Sequence, residues 1–412
     1  MLRCVAAGTL FLVLSASGAA DAYPRQADIA RGHYLAIASD CMSCHTDANH
    51  PPFSGNRAVP TPFGSIWSSN ITPDRETGIG EWTERDFYRA LHDGLGKDGR
   101  HLYPAMPYPW YTKLPRADVD AIFAYLKTLP EISSRTRTPA LPWPLSWRFS
   151  MTFWDWLFFH EADYKPDVHR DAQWNRGAFL AEGPGHCGAC HTPKNFLGAS
   201  TGAFLHGGVF DSWFAPMLAA NPRDGLGSWT GADLVRFLKT GRNAKTAAFG
   251  PMSEVVADST RYMTDGDLAA IATFLKSQGT VHESSPPTPK DDVMRAGGQI
   301  FAAQCSACHQ AGGQGERFEF ASLRGSANAQ SRNPDTVIRA ILTGVRAVST
   351  ARRPTGFSMP AFDWKLNDAQ IAAVATYIGN AWGNAAPAVS AGAVGSLRKA
   401  VQAKSSVVPA QR

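Results

Sequence analysis

The sequence lacks a strong charge imbalance, since 40 Lys and Arg residues stand against 35 Asp and Glu residues in a chain of 412. A formal charge of +5 is too small and too dispersed to indicate a nucleic-acid-binding surface. An apolar fraction of 44% and a charged fraction of 18% exclude disordered, fibrous and polytopic membrane proteins. A globular chain of this length is expected to form roughly two to four domains.

Cysteine is also scarce, and its seven residues do not have the pattern of a disulfide framework. Cys4 precedes a short apolar run, 10–14, and an A-x-A pattern that ends at Ala22. This arrangement predicts a secretory signal peptide over residues 1–22 and hence export to a compartment in which disulfides can form. The other six cysteines instead occur as three pairs, each followed directly by His.

Three C-x-x-C-H motifs contain all of the remaining cysteines. In c-type haem attachment the two thiols form thioethers with the haem vinyl groups and the adjacent His ligates the iron. A zinc site would need the pairs closer together, and a thioredoxin-like redox pair would need a βαβ pattern that the surroundings lack. The motifs predict three covalently bound haem c groups. The haem-binding cysteines are Cys41, Cys44, Cys187, Cys190, Cys305 and Cys308, and the first iron ligands are His45, His191 and His309.

An internal repeat surrounds the motifs. An Arg-Gly pair and apolar residues precede the first two motifs, and Trp-Thr pairs at Trp82 and Trp229 begin a second helix that ends at a Gly. The third copy is weaker and lacks the Trp. A further amphipathic helix closes each copy. The repeat therefore indicates three copies of one small helical unit.

The repeat also selects a second ligand for each iron. Met106 and Met252 follow the histidines of their motifs by the same interval, and Met359 occupies the corresponding place before the third closing helix. A single Met would be more typical of core packing, but three in matching register favour thioether ligation, which raises the reduction potential. Met263 and His101 are the alternative ligands in copies two and one, and both break the register.

Proline-rich stretches suggest the boundaries between copies. We expect domains over 23–140, 171–283 and 291–384, linkers over 141–170 and 284–290, and a tail over 385–412. The tail is small, polar and basic, with apolar Val394, Leu397 and Val401, and we expect it to be frayed.

The first linker contains an aromatic segment, 143–159, with four of the 12 Trp residues of the chain. It is too short and too polar to span a bilayer. We favour burial of this segment between domains or over haem edges. The alternative is a surface for a protein partner or for a membrane interface.

The chain resembles the tri-haem cytochrome c subunits of bacterial membrane-bound, quinone-linked alcohol, gluconate, sorbitol and fructose dehydrogenases. The resemblance runs from Gly32 to Arg398 and includes the blocks 61–64, 70–74 and 102–108 as well as the three motifs. It implies an all-α fold of three tandem class I cytochrome c domains, rich in loops around haem. It also implies a periplasmic subunit, peripherally associated with the inner membrane, that takes electrons from a large subunit carrying PQQ or FAD and passes them to ubiquinone.

Such a subunit transfers electrons and needs no acid, base or nucleophile of its own, so we do not expect it to be catalytic alone. Three alternatives remain open: a partner of the molybdenum hydroxylase type that oxidises aldehydes or N-heterocycles, a free periplasmic multihaem carrier, and a haem peroxidase. The peroxidase would need an open axial position, which the matched Met register disfavours.

One departure from the similar proteins concerns the third copy. They usually have Pro before the position of Leu323, whereas this chain has Phe320-Ala321-Ser322. In those cytochromes a backbone carbonyl at this point steadies the proximal imidazole.

Overall fold

The computed structural model describes residues 26–280, 284–351 and 354–407. The predicted signal peptide, 1–22, lies outside the described residues. Most of the regular structure is helical, as predicted, and the named strands of the described ranges form three two-stranded hairpins that an all-α class does not include.

The first unit follows the predicted order of helices. Its elements are α1 (Gln26–Ala38), α2 (Cys41–His45), β1 (Ala58–Thr61), β2 (Gly64–Trp67), α3 (Glu84–His92), α4 (Tyr108–Tyr111) and α5 (Arg116–Leu126). A separate helix, α6 (Ser150–Phe158), lies in the aromatic segment.

The second unit repeats this order. Its elements are α7 (Ala172–Glu182), α8 (Gly188–His191), β3 (Gly208–Phe210), β4 (Trp213–Ala215), α9 (Gly231–Thr240), α10 (Pro251–Glu254) and α11 (Asp265–Lys276). A π-helical turn (Val255–Ser259) and a 3-10 turn (Thr260–Tyr262) connect α10 to α11.

The third unit places its hairpin later in the chain. Its elements are α12 (Asp291–Gln304), α13 (Ser306–His309), α14 (Asp335–Thr343), β5 (Val345–Arg346), β6 (Ser358–Met359), α15 (Asp368–Asn380) and α16 (Ala391–Val407). Among the helices of the described ranges, none is long and apolar enough to cross a membrane.

The first helix of each unit crosses a later long helix, α5, α11 or α15, at a glycine. A Cβ added to Gly32 would lie 1.8 Å from the carbonyl oxygen of Ala121, and one added to Gly177 would lie 1.9 Å from that of Ala270. At Gly297 the corresponding distance to a carbonyl oxygen of α15 is 2.2 Å. The two helix backbones therefore approach so closely that only glycine fits. This shared contact gives the three units the same frame.

The helices α3 and α9 of the first two units begin differently from α14 of the third unit. The hydroxyls of Thr83 and Thr230 accept hydrogen bonds from the backbone N–H groups of Asp86 and Asp233, and the two carboxylates accept bonds from the Thr backbone in return. These capping boxes begin α3 and α9 at the predicted residues. In the third unit α14 follows Pro334, whose side chain cannot cap it.

The first two units share one hydrophobic core, whereas the third has its own. Ile122 of the first unit and Leu268 of the second are both fully buried in the shared core. Ile338 and Ile371 are fully buried in the core of the third unit. A small apolar cluster around Val348 joins the second unit to the third.

The aromatic segment, 143–159, lies at the surface, so the expectation that it is buried is wrong for most of its side chains. Trp143 is 81% exposed and Trp156 is 78% exposed. α6 buries Met151 and Asp155 instead. Because Asp155 has hydrogen-bond partners inside the first unit, the rotation of the helix is fixed, and Phe153 and Trp156 point outward.

The expectation of a frayed tail is also wrong over α16. Val394 and Leu397 are buried in the core of the third unit, and Val401 packs against that core. Arg398 forms an ion pair with Asp368 at 2.8 Å. The apolar residues at helical spacing therefore dock this helix onto the unit.

Candidate haem-binding sites

Each C-x-x-C-H motif follows the first long helix of its unit and ends in a short helix. The motif histidines are the last residues of α2, α8 and α13. None of the six motif cysteines forms a disulfide; five are partly buried and Cys308 is exposed. The three motifs thus occupy equivalent places, as the sequence repeat predicts.

The environment of the thiols does not favour an activated redox pair. Burial raises the pKa of Cys41, Cys44 and Cys187 to about 12 and that of Cys190 and Cys305 to about 11. A reactive C-x-x-C cysteine needs the opposite shift, because the thiolate is the nucleophile.

A backbone carbonyl holds the histidine of each of the first two motifs. Nδ1–H of His45 donates to the carbonyl oxygen of Ser69 at 2.7 Å, and Nδ1–H of His191 donates to that of Pro216 at 2.7 Å. Burial lowers the pKa of both imidazoles, although the carbonyl bonds act in the other direction. The neutral ring then presents the lone pair of Nε2, which is the form that ligates iron.

The third motif has the same support. Nδ1–H of His309 donates to the carbonyl oxygen of Ala321 at 2.9 Å, so a backbone carbonyl holds this ring although the Pro of the similar proteins is absent. Sequence reasoning missed the partners Ser69 and Pro216. Both follow the hairpins β1–β2 and β3–β4, so their equivalence becomes visible only once the hairpins are known.

The three predicted methionine ligands lie in different local structures. Met106 is in the loop before α4, Met252 is on α10 and Met359 is on β6. Each is partly buried and packs against the same hydrophobic core as the first cysteine of its own motif. Each unit therefore offers two thiols, one imidazole and one thioether, the donor set that covalently attached haem with His/Met ligation requires.

The two alternative ligands have different surroundings. Met263 is 2% exposed in the shared core. Nδ1–H of His101 donates to one carboxylate oxygen of Asp155 at 2.5 Å, and the hydroxyl of Tyr108 donates to the other at 2.5 Å. Burial raises the pKa of Asp155 even though both bonds act against it. Asp155 thus joins two points on either side of Met106.

The first two motifs are neighbours, and α4 lies between them. The hydroxyl of Tyr111 donates to the carbonyl oxygen of Ser39 at 2.5 Å, and its ring packs edge-on against His186 at 5.5 Å. Trp110 covers the second motif so closely that a Cβ on Gly188 would lie 2.2 Å from its ring. The segment that follows Met106 therefore contacts the attachment motif of the second unit.

Charged groups also join these two units beside the first motif. The hydroxyl of Ser43 lies 2.5 Å from Asp40 and 3.1 Å from Asp258 of the second unit. Arg57 forms an ion pair with Glu254 at 2.7 Å. Burial raises the pKa of Asp40 to about 8 despite the bond from Ser43, and both acids of the second unit add to the rise. The second unit therefore forms part of the environment of the first site.

Comparison with known proteins identifies a cytochrome c domain and relatives that extend over nearly the whole chain. Residues 294–382, within the third unit, match the family Cytochrome c. The gluconate 2-dehydrogenase cytochrome c subunit of Pantoea cypripedii is 39% identical, over 94% of this chain and 93% of that protein. The cytochrome c subunit of the quinone alcohol dehydrogenase of Gluconobacter oxydans is 36% identical, over 95% of this chain and 86% of that protein.

A third relative belongs to a different kind of enzyme. A nicotinate dehydrogenase subunit of Pseudomonas putida is 37% identical over 84% of this chain, but the match covers 30% of that protein. The two matches that extend over nearly the whole of both proteins, together with the repeated donor sets, assign the family. This chain belongs to the cytochrome c subunits of bacterial alcohol and gluconate dehydrogenases.

Proposed function

We propose that the chain is a tri-haem electron-transfer subunit that serves a dehydrogenase. The observation that carries this proposal is the threefold recurrence of one arrangement: a C-x-x-C-H motif, a neutral His held by a carbonyl, and a Met beside the same core. Haem c bound at each motif would supply a one-electron carrier.

The proposed ligands follow from the three motifs and the Met register. Thioethers form at Cys41, Cys44, Cys187, Cys190, Cys305 and Cys308; the iron ligands are His45, Met106, His191, Met252, His309 and Met359. We keep the domain bounds 23–140, 171–283 and 291–384 as part of this proposal, with α16 (Ala391–Val407) added to the third domain.

The residues of this chain hold and tune the carriers. The carbonyl bonds orient the proximal rings, and the hydrophobic cores exclude water from the distal thioethers. Oxidation of an alcohol or sugar removes two electrons together, whereas each site accepts one, so a series of three sites separates the pair. The chain needs no catalytic acid, base or nucleophile for this task.

The names of the relatives support a dehydrogenase partner. In this proposal a large subunit with PQQ or FAD oxidises an alcohol, sugar or sugar acid and delivers electrons to this chain, which passes them to ubiquinone. The chain acts on the periplasmic side of the inner membrane after export by the predicted signal peptide, in peripheral association with the membrane.

One observation favours a second candidate function. The match to a nicotinate dehydrogenase subunit shows that a similar chain can be part of an enzyme for an N-heterocycle. A molybdenum hydroxylase type partner for an aldehyde or N-heterocycle would use the same three sites.

Purification of the tagged chain in mild detergent from its native membranes distinguishes these candidates. We expect three covalent haems per chain and a co-eluting large subunit with extractable PQQ or flavin. Molybdopterin in that subunit would establish the second candidate instead. A chain that elutes alone under conditions that preserve such complexes would contradict both and favour a free periplasmic carrier.

A further inference from the structure

The aromatic segment concentrates exposed apolar side chains in one place. Six large apolar residues point outward within fifteen positions: Trp143, Trp147, Phe149, Phe153, Trp156 and Leu157. We call these six residues the aromatic face. Exposed apolar residues this close together are typical of an interaction surface, whereas singly exposed ones are ordinary.

α6 has the reverse polarity of a surface helix. Its exposed residues Phe153, Trp156 and Leu157 continue the line begun by Phe149 at helical spacing, while its acidic residue Asp155 is buried. A helix at a water-facing surface would place the carboxylate outside and the aromatics inside. The outward face of α6 is therefore suited to an apolar surrounding.

The charge distribution selects a lipid surface as the occupant. Among the exposed residues from 143 to 157, Ser146 is the only polar one. Arg148, at the edge of the face, stacks over Tyr103 at 4.1 Å and donates to the carbonyl oxygen of His101 at 3.1 Å. A protein interface has a polar rim with hydrogen-bond partners. A Trp-rich and Phe-rich face that carries no exposed charged side chain instead matches the interfacial region of a bilayer.

The aromatic face is tied to the first site. The carboxylate of Asp155 receives bonds from His101 and Tyr108, on either side of Met106, and the hydroxyl of Tyr103 donates to the carbonyl oxygen of Leu145 at 2.9 Å. The segment that carries the face therefore holds the loop that carries the distal ligand of the first unit.

We propose that the aromatic face inserts into the interfacial region of a phospholipid bilayer and so places the first unit beside the membrane. This inference rests on the proposed function, since a lipid-soluble quinone would then meet the chain at the first site. It adds the surface that makes the contact and the unit that delivers the electrons.

Vesicle flotation of the haem-loaded full-length chain tests the proposal. The vesicles contain phosphatidylethanolamine and phosphatidylglycerol, and the test variant combines Trp147→Ser, Phe153→Ser and Trp156→Ser. We expect at least a hundredfold weaker partitioning of this variant, and wild-type binding that persists at high salt. Unchanged haem content and thermal stability would show that the variant is folded, since the three side chains are exposed.

The chain offers a matched control away from the aromatic face. Trp364 is 78% exposed, as is Trp156, and it lies in the third unit. Trp364→Ser therefore removes an equally exposed Trp and should bind vesicles as the wild type does. An equal loss of binding in this control would overturn the assignment to the aromatic face.

Other occupants give different results, each of which would overturn the proposal. Vesicle binding that survives in the triple variant while the large subunit no longer co-purifies would identify the face as a subunit interface. A wild-type dimer that becomes a monomer in the triple variant without lipid would identify a second copy as the occupant. If vesicle binding behaves as expected but the wild type fails to reduce a ubiquinone analogue, the proposed function fails and the membrane contact stands.

Discussion

The first two units and the third unit are built on the same frame but are joined to the molecule in different ways. The first two share one hydrophobic core, and side chains cross between them: the hydroxyl of Tyr34 donates to Asp267 at 2.6 Å, and Tyr111 lies between the two motifs. The third unit has a separate core with an additional helix, α16, packed on it.

The contact between the second and third units uses backbone groups more than core packing. The hydroxyl of Thr336 donates to the carbonyl oxygen of Phe214 at 2.8 Å, and the Phe214 N–H donates back to this hydroxyl at 2.9 Å. The N–H of Val348 donates to the carbonyl oxygen of Ala248 at 3.1 Å beside the small apolar cluster.

The difference indicates one joint folding unit and one unit that is closer to an independent cytochrome. A shared core keeps the first two sites at one mutual distance, because neither unit can move without exposing apolar surface. We therefore expect the third unit to unfold while the shared core stays intact. The match of residues 294–382 to the Cytochrome c family lies within this third unit.

The largest effect is expected at the helix crossings. Gly32→Ala would place a Cβ against the backbone of Ala121, which cannot move aside as a flexible side chain could. The variant should therefore lower the free energy of unfolding by about 3 to 5 kcal/mol. Calorimetry should show the joint transition of the first two units lowered and that of the third unchanged.

Gly297→Ala is the complementary variant, and it should lower the third transition alone. Gly231→Ala serves as the control, since a Cβ there meets nothing within 4 Å. If Gly297→Ala lowered both transitions equally, the separation between the joint unit and the third unit would be wrong.

Loss of a distal ligand should affect a second haem potential in the joint unit but only one potential in the third unit. Met106→Ala should leave haem attached and lower the potential of the first site by about 0.1 V or more, within the range of about 0.8 V that axial ligands span. Because the first two sites are neighbours, the potential of the second should shift slightly too. Met359→Ala should change one potential alone in a spectroelectrochemical titration.

Met263→Leu is the control for the ligand assignment, because Met263 is a buried core residue. It should leave all three potentials in place. A lowered second potential in this variant, with Met252→Ala silent, would transfer the ligand role to Met263.

A smaller effect is expected at Asp267, which links the joint unit. Arg176 donates two bonds of 2.8 Å to its carboxylate and Tyr34 donates a third. Burial alone would raise the pKa of Asp267, but these bonds outweigh burial and hold it below its usual value. Asp267→Asn should cost about 1 to 2 kcal/mol at neutral pH, since Arg176 is partly exposed and its charge is screened.

The pH dependence tests the cause. The pKa of Asp267 is lower in the folded protein than in the unfolded chain, where it is about 3.9. Its contribution to the free energy of unfolding is therefore fully present above about pH 3.9, and it is lost as the pH falls through the folded pKa. The stability difference between wild type and Asp267→Asn should therefore shrink as the pH falls below about 4. Tyr34→Phe removes the third bond alone, and Asp118→Asn tests the similar pair with Arg31 inside the first unit. A gap that does not depend on pH would contradict this account.

The smallest effect is expected at the helix caps. Thr83→Ala and Thr230→Ala each remove a capping box. Each should lower the free energy of unfolding of the joint unit by about 1 kcal/mol. The transition of the third unit serves as the internal control, because neither variant lies in that unit and its helix α14 begins after Pro334. Chemical unfolding followed by circular dichroism would detect the change, and an unaffected joint transition would show that the caps do not matter for the shared core.

The helical frame could be predicted because its signals are local. Thr83 and Thr230 cap their helices, and the apolar spacing around Ile122 and Ile371 gives the closing helices. The glycine at each crossing is visible as part of the repeat, although its close approach to a carbonyl is not. The six motif cysteines needed no structure to be recognised.

Other features depend on contacts between distant segments. The outward turn of α6 follows from the bonds of Asp155 to His101 and Tyr108, which lie about 50 residues earlier in the sequence. The carbonyl partners Ser69 and Pro216 depend on where the hairpins end. The docking of α16 depends on apolar surface that α14 and α15 leave open. The partners in these contacts cannot be located from a local pattern, although the apolar spacing of Val394, Leu397 and Val401 is visible in the sequence.

The measurement that tests the central claim most directly is an anaerobic spectroelectrochemical titration of the purified chain together with its covalent haem content. Three haems per chain are predicted, each low-spin with the absorption of a Met-to-iron bond, that together accept three electrons in one-electron steps. Fewer than three haems, or a high-spin haem with an open axial position, would contradict the account of three equivalent electron-transfer sites.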